Sequence, residues 1–209
     1  MNHLIRMTIG VASLCSPLVQ TQLHAHMERA DAIRPLYEGL SIPEGLVVKG
    51  VDGEMVDLTT LMRSTPSILV FYRGGWCPYC NQQLAELAGL EDEVVSIGYQ
   101  IFALSPDRGE SLKGHGESSG EAFRLFSDSD HVASDAFGVS FKVDEQMHRT
   151  LMGYGIDIEE ASGNASRILP TPAVFVVRDG IIRFAYVNPD YKVRLDGDVL
   201  LAAARAAAK

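Results

Sequence analysis

The stretch Ser67-Ile68-Leu69-Val70-Phe71-Tyr72, followed by Arg73-Gly74-Gly75-Trp76-Cys77-Pro78-Tyr79-Cys80, decides the fold. Its first part is an unbroken apolar run, too short for a helix and rich in β-branched and aromatic residues. Such a run suits a central strand buried on both faces. Gly74 and Gly75 break the strand, and beyond them Leu84, Leu87, Leu90 and Val94 recur at helical spacing. Pro78 fits the first turn of that helix, where a missing N–H costs nothing. The reading is strand, turn, helix, with two cysteines at the helix mouth.

On the first turn of a helix, positions i and i+3 bring two cysteine α-carbons to about 5 to 6 Å, a separation at which a disulfide closes without distorting the backbone. The free N–H groups and partial positive charge of a helix N-terminus lower a thiol pKa, and the thiolate is the nucleophile in thiol redox chemistry. Cys77 and Cys80 are therefore the candidate catalytic pair and the candidate redox disulfide. Two inert buried thiols are the bland alternative. A zinc site would need two further ligands, and the six histidines show no metal-type spacing with one another. Two thiolates alone could take soft Cu(I), but no third ligand follows. No resident cofactor is called for.

Outward from this core, Ala30 to Leu40 reads as a helix ended by Pro43. Leu46-Val47-Val48 and Met55-Val56-Asp57 flank the Asp52-Gly53 turn signal and read as a hairpin. Asp57 or Thr59 caps a short helix through Met62. Gln100 to Leu104 is a second strand, leading through Ser105-Pro106-Asp107 into a polar loop from Gly109 to Gly120. Ala122 to Phe126 is a third strand, and after Asp128-Ser129-Asp130 a helical run reaches Phe137. Phe141 to Leu169 has weak periodicity and reads as a surface insertion. Ala173 to Val177, the turn Arg178-Asp179-Gly180, and Ile181 to Tyr186 form a closing hairpin, and Asp198 caps an Ala-rich helix to Ala208. Strands alternating with helices and closing on an antiparallel hairpin give a mixed sheet in an α/β layer fold.

The 209 residues suffice for one well-buried domain, and a net charge of −9 without any Lys/Arg block argues against a nucleic-acid footprint. No apolar stretch reaches the roughly 20 residues of a membrane-spanning helix, so stable membrane insertion is not expected. Residues 1–25 have the three-part layout of a secretory signal: a start carrying Arg6, the apolar run Met7 to Val19, and a small residue, Ala25, at the cleavage point. Cleavage there removes Cys15, leaves Cys77 and Cys80 as the cysteines, and sends the protein to the periplasm or outside the cell. Without cleavage it stays in the cytoplasm. The expected organisation is a signal over 1–25, a helical extension over 26–44 and the redox domain over 45–209.

Phe71 to Cys80 resembles the active-site strand and turn of the thioredoxin superfamily. From about Gly45 to Ala206 the chain is similar to the peroxiredoxin-like branch of the alkyl hydroperoxide reductase and thiol-specific antioxidant family. The apolar strand ending Phe71-Tyr72, Ser105-Pro106-Asp107, Ser127 to Asp130, and Phe175 to Gly180 carry that similarity. The resemblance implies a thioredoxin-like fold, a hydroperoxide or disulfide substrate and an external thioredoxin-like dithiol reductant. Laying the pattern P-x-x-x-T-x-x-C on the site puts Cys80 at the peroxide-attacking cysteine, Cys77 at the threonine and Arg73 at the proline. The family's later arginine falls at Pro172. Thr171-Pro172 instead matches the cis-proline of thioredoxins, which together with Trp76 would shape the substrate groove. As a peroxidase, Cys80 attacks and Cys77 resolves; as a thioredoxin-like disulfide oxidoreductase, Cys77 attacks and Cys80 resolves. Arg73 and Arg167 are candidates to stabilise a thiolate.

Overall fold

The computed structural model describes residues 26–113 and 123–209. Among these residues the chain builds a seven-stranded mixed sheet in the order β2-β1-β5-β4-β3-β8-β9. The strands are β1 (Val47–Gly50), β2 (Met55–Asp57), β3 (Ser67–Phe71), β4 (Gln100–Ser105), β5 (Phe123–Ser127), β8 (Ala173–Arg178) and β9 (Ile181–Val187). The deciding apolar run is central: β3 lies parallel to β4 and antiparallel to β8. All of its residues are buried, and its period of two divides them between two cores. Ile68, Val70 and Tyr72 face a layer holding Cys77, Cys80, Leu84, Leu87, Leu200 and Leu201. Leu69 and Phe71 face Leu58, Met62, Phe137 and Phe175.

The helices covering the first face are α2 (Pro78–Gly89), α3 (Glu91–Ser96) and α8 (Gly197–Ala207); α1 (Leu58–Ser64) covers the second. Asp57 caps α1, accepting from the Thr60 N–H at 3.1 Å. The helical spacing from Leu84 to Val94 is interrupted at Leu90, which ends α2 and starts α3. Glu91, Asp92 and Glu93 explain the break, because three acidic residues are stabilised at a helix N-terminus and not in the last turns of a longer helix. The Ala-rich helix is capped by Asp196, not Asp198. The Asp196 carboxylate accepts from the Asp198 and Val199 N–H groups, and Asp198 falls inside the first turn.

The expected N-terminal helix fails as well. Residues 26–44 contain no helix. Pro35 supplies no N–H and pushes Arg34 out of helical geometry, and the segment spends its donors on the domain instead. Leu36 N donates to Phe137 O, Gly39 N to Ile182 O and Ile42 N to Gly180 O, at 3.0, 2.9 and 2.9 Å. Residues 141–169, expected as a surface insertion, hold regular structure of their own. They carry β6 (Ser140–Lys142), α6 (Glu145–Gly153), α7 (Ile158–Ser162) and β7 (Ile168–Pro170). The two strands pair with each other, and Phe141, Val143, Leu151, Ile158 and Leu169 form a third small core. The polar loop opens with a short helix, α4 (Gly109–Leu112), and α5 (Val132–Ala136) follows β5. The proposed signal at 1–25 lies outside the described residues.

Candidate active site

The turn between β3 and α2 is held by side chains distant in sequence. Asp107, buried just after β4, accepts the Gly75 N–H at 2.7 Å, so the Ser105-Pro106-Asp107 motif anchors the site. Asn81, on α2, donates its side-chain amide to Gly75 O at 2.8 Å. Gly74 has φ +145, and a Cβ there would stand 2.3 Å from Trp76 Nε1 and 2.7 Å from Asp107 Oδ1. The turn is therefore closed to any larger residue. Cys77 becomes the N-cap of α2, Pro78 takes the first helical position, and the N–H groups of Cys80 and Asn81 donate to Cys77 O at 3.0 and 3.1 Å.

Both cysteines are free and buried, and they differ in what they face. Cys77 is on the wall of a cavity of about 600 Å³; Cys80 is not. Arg73, Trp76, Pro78, Tyr79 and Tyr191 complete that side, while Met147, Thr150, Leu151, Tyr154 and Ile156 stand opposite. A hydrogen bond donated by the Cys80 thiol holds the Cys77 sulfur as thiolate against the opposing effect of burial. The Cys80 backbone N–H and the charges of Arg73 and Arg194 help, and the Cys77 pKa falls to about 6. Cys80 moves the other way, because its proton is engaged by Cys77 and its surroundings are dry.

Two guanidinium groups flank the pair. Arg73 is 4% exposed, and its guanidinium carbon stands 5.0 Å from the Trp76 ring and 4.2 Å from the Tyr191 ring. Burial pushes its pKa down and negative charge on Cys77 and Cys80 pushes it back up. Arg194 donates Nη2–H to Cys80 Sγ at 3.2 Å. Of the residues singled out in the sequence, Cys77, Cys80, Arg73 and Trp76 are brought together. Arg167 is not: it pairs with Glu159 and Glu145. Thr171 and Pro172 are buried and absent from the cavity wall. Among the described residues no peptide bond is cis, so Thr171-Pro172 departs from the thioredoxin resemblance. The chain runs extended from β7 into β8, with Thr171 N donating to Val139 O and Pro172 O accepting from Asn188 N, at 2.8 and 3.1 Å.

Sequence reasoning missed Arg194, Tyr191 and the α6 wall. Arg194 and Tyr191 sit in the irregular link between β9 and α8, where no periodicity or motif marks them. Among the described residues no group of three or more His, Cys, Asp or Glu could hold a metal ion, and no helix is long and apolar enough to cross a membrane.

A buried dithiol at the mouth of a helix, set after the central strand of a mixed sheet, defines a thioredoxin-fold redox protein. The AhpC/TSA family model matches residues 41–185; the chain belongs to that family. It is 33% identical over 88 residues to peroxiredoxin Bcp of Escherichia coli K12, covering 42% of this chain and 56% of that protein. The match thus spans little more than half of that relative. Among solved structures, peroxiredoxin Q of Xanthomonas campestris superposes with a TM-score of 0.62 at 23% identity, over 82% of this chain and 99% of that one. Peroxidoxin BcpB of Mycobacterium tuberculosis gives 0.61 at 18% identity, over 82% and 97%. These two share the fold.

Proposed function

We propose that the protein is a thiol-dependent peroxidase that reduces hydroperoxides through a Cys77/Cys80 dithiol–disulfide cycle. Family membership supports a hydroperoxide as oxidant. The observation that carries the order of events is the opposite displacement of the two thiols, with the low-pKa one on the cavity wall. The Cys77 thiolate attacks the terminal peroxide oxygen, the S–O bond forms as O–O breaks, and the alkoxide leaves as the alcohol after taking a proton. Cys80 then attacks the Cys77 sulfenic acid, the disulfide closes and water leaves. An external thioredoxin-like dithiol restores both thiols, so that one hydroperoxide and one dithiol become alcohol, water and disulfide. This order is the reverse of the one the peroxiredoxin pattern implies for positions 77 and 80. It keeps the family's chemistry and takes its geometry from the hydrogen bond between the thiols.

Rapid mixing of the reduced protein with hydrogen peroxide or an organic hydroperoxide, followed by Trp76 fluorescence, tests the reading. Trp76 packs against the cluster that holds both cysteines, so oxidation is expected to change its emission in two phases, sulfenic acid then disulfide. Peroxide consumption no faster than by a free thiol, together with efficient reduction of a protein disulfide, would replace this reading with a disulfide oxidoreductase. The layout of residues 1–25 supports export, with a mature chain starting at His26. N-terminal sequencing of the protein from its native host checks it, and a start at Met1 counts against it.

A further inference from the structure

The link between β9 and α8 is fastened at both ends. Asn188 N donates to Pro172 O at 3.1 Å, and Gly197 N donates to the Glu86 carboxylate on α2 at 3.1 Å. Between these anchors the link delivers two side chains to the dithiol: Tyr191 onto Arg73, and Arg194 onto Cys80. Arg194 spends one N–H on Cys80 Sγ. Its Nε and Nη1 are buried with no partner among the described residues. A buried guanidinium with unmade hydrogen bonds is costly, and anionic sulfur or oxygen at the same spot would satisfy it.

We propose that Arg194 is the positioning residue of the resolving step: it holds Cys80 in place and stabilises the negative charge that this sulfur carries whenever the Cys77–Cys80 bond forms or breaks. In closure, Cys80 gives up its proton, its sulfur bonds to Cys77, and the group on Cys77 leaves with the electron pair. In reduction, an external thiolate attacks Cys77 and Cys80 departs with the electron pair beside the guanidinium. Both events place transient thiolate charge on a sulfur otherwise surrounded by apolar core, where burial resists it and the charge of Arg194 favours it. The family's own arginine position is occupied here by Pro172, so this cation reaches the site from a later part of the chain. The proposal rests on the Cys77-first order given above.

The test uses 5,5′-dithiobis(2-nitrobenzoate) on the reduced protein carrying Cys15→Ser, so that Cys77 and Cys80 are its only thiols, and it needs no peroxide, so it stands whether or not the protein proves to be a peroxidase. Attack by Cys77 releases the first thionitrobenzoate, and attack by Cys80 on the resulting mixed disulfide releases the second. The assay is run at about pH 8, well above the Cys77 midpoint of about 6, so that the modest help Arg194 gives to that thiolate no longer limits the first release. Arg194→Gln is expected to slow the second release about tenfold more than the first, the scale of one lost charge-assisted hydrogen bond. Arg194→Lys keeps the charge and loses the fork, and is expected to fall between wild type and Arg194→Gln. Equal slowing of both releases, or a second release as fast as wild type in either variant, overturns the assignment. If Arg194→Gln does not fold, Arg194→Lys alone decides it by the same ratio of rates. A normal ratio with no peroxide turnover by wild type would remove the peroxidase reading as well.

Discussion

The two walls of the cavity are built in opposite ways. On one side, the turn from Arg73 to Cys80 gathers both sulfurs, Arg73 and Trp76 within eight consecutive residues, fixed by Asp107 and by the first turn of α2, and the link after β9 adds Tyr191 and Arg194. On the other, Met147, Leu151 and Tyr154 come from α6 and its C-terminal cap, an element that packs into its own small core. Chemistry is concentrated in a rigid turn, and shape is supplied by a separate packing unit. Changes on the first wall should therefore alter rate and thiol pKa, and changes on the second should alter the choice of substrate.

The largest effect is expected for Cys77→Ser, which removes the nucleophile and should lower peroxide turnover about a thousandfold, measured with an external dithiol in excess. Gly74→Ala tests the rigidity of the same wall. With φ +145 and three atoms under 3.0 Å from the new Cβ, it should destabilise the fold by about 1 to 3 kcal/mol, read from urea unfolding of the reduced protein. A loss below about half a kilocalorie would show the turn to be soft.

Arg73→Met keeps the side chain's bulk and deletes its charge. Thiolate absorbance against pH should give a wild-type midpoint of about 6, and the variant should titrate roughly one unit higher. The sign follows from the shift: the reactive thiolate appears as pH rises through the midpoint, so alkylation of Cys77 increases from pH 5 to 7 and then levels off. An unchanged midpoint would remove Arg73 from the causes and leave the depression to the Cys80 hydrogen bonds and Arg194. The smallest effect is expected on the second wall. Leu151→Ala should raise KM a few-fold for a bulky organic hydroperoxide and leave the rate with hydrogen peroxide unchanged. Equal effects on both substrates would mean that the two walls are not separable.

The same division governs how much was legible in the sequence. The strand Ser67–Phe71, the glycine turn, Pro78 at the first helical position and the cysteine spacing are local signals, and each was read correctly from neighbouring residues. The hairpins at Asp52-Gly53 and Asp179-Gly180 were legible for the same reason. Residues 141–169 were not, because α6 and α7 are short and their apolar residues pack against partners as distant as Met27 and Trp76. The failed helix at Ala30 to Leu40 shows the converse: good helix formers yielded to Pro35 and to backbone acceptors supplied by Phe137 at the end of α5, Gly180 in the turn before β9 and Ile182 on β9. Arg73 could be nominated from its position beside the turn. Arg194, more than a hundred residues from Cys80, became visible only when the link after β9 was seen folded against α2.

The central claim is that Cys77, not Cys80, is the attacking sulfur. Dimedone trapping after addition of one equivalent of hydroperoxide to the Cys80→Ser and Cys77→Ser variants, mapped by peptide mass spectrometry, tests it most directly. The expected result is a dimedone adduct on Cys77 in Cys80→Ser, formed at close to the wild-type rate of oxidation, and little or none in Cys77→Ser. A prompt adduct on Cys80 in Cys77→Ser, with Cys77 inert in Cys80→Ser, would contradict it and restore the order that the peroxiredoxin pattern implies.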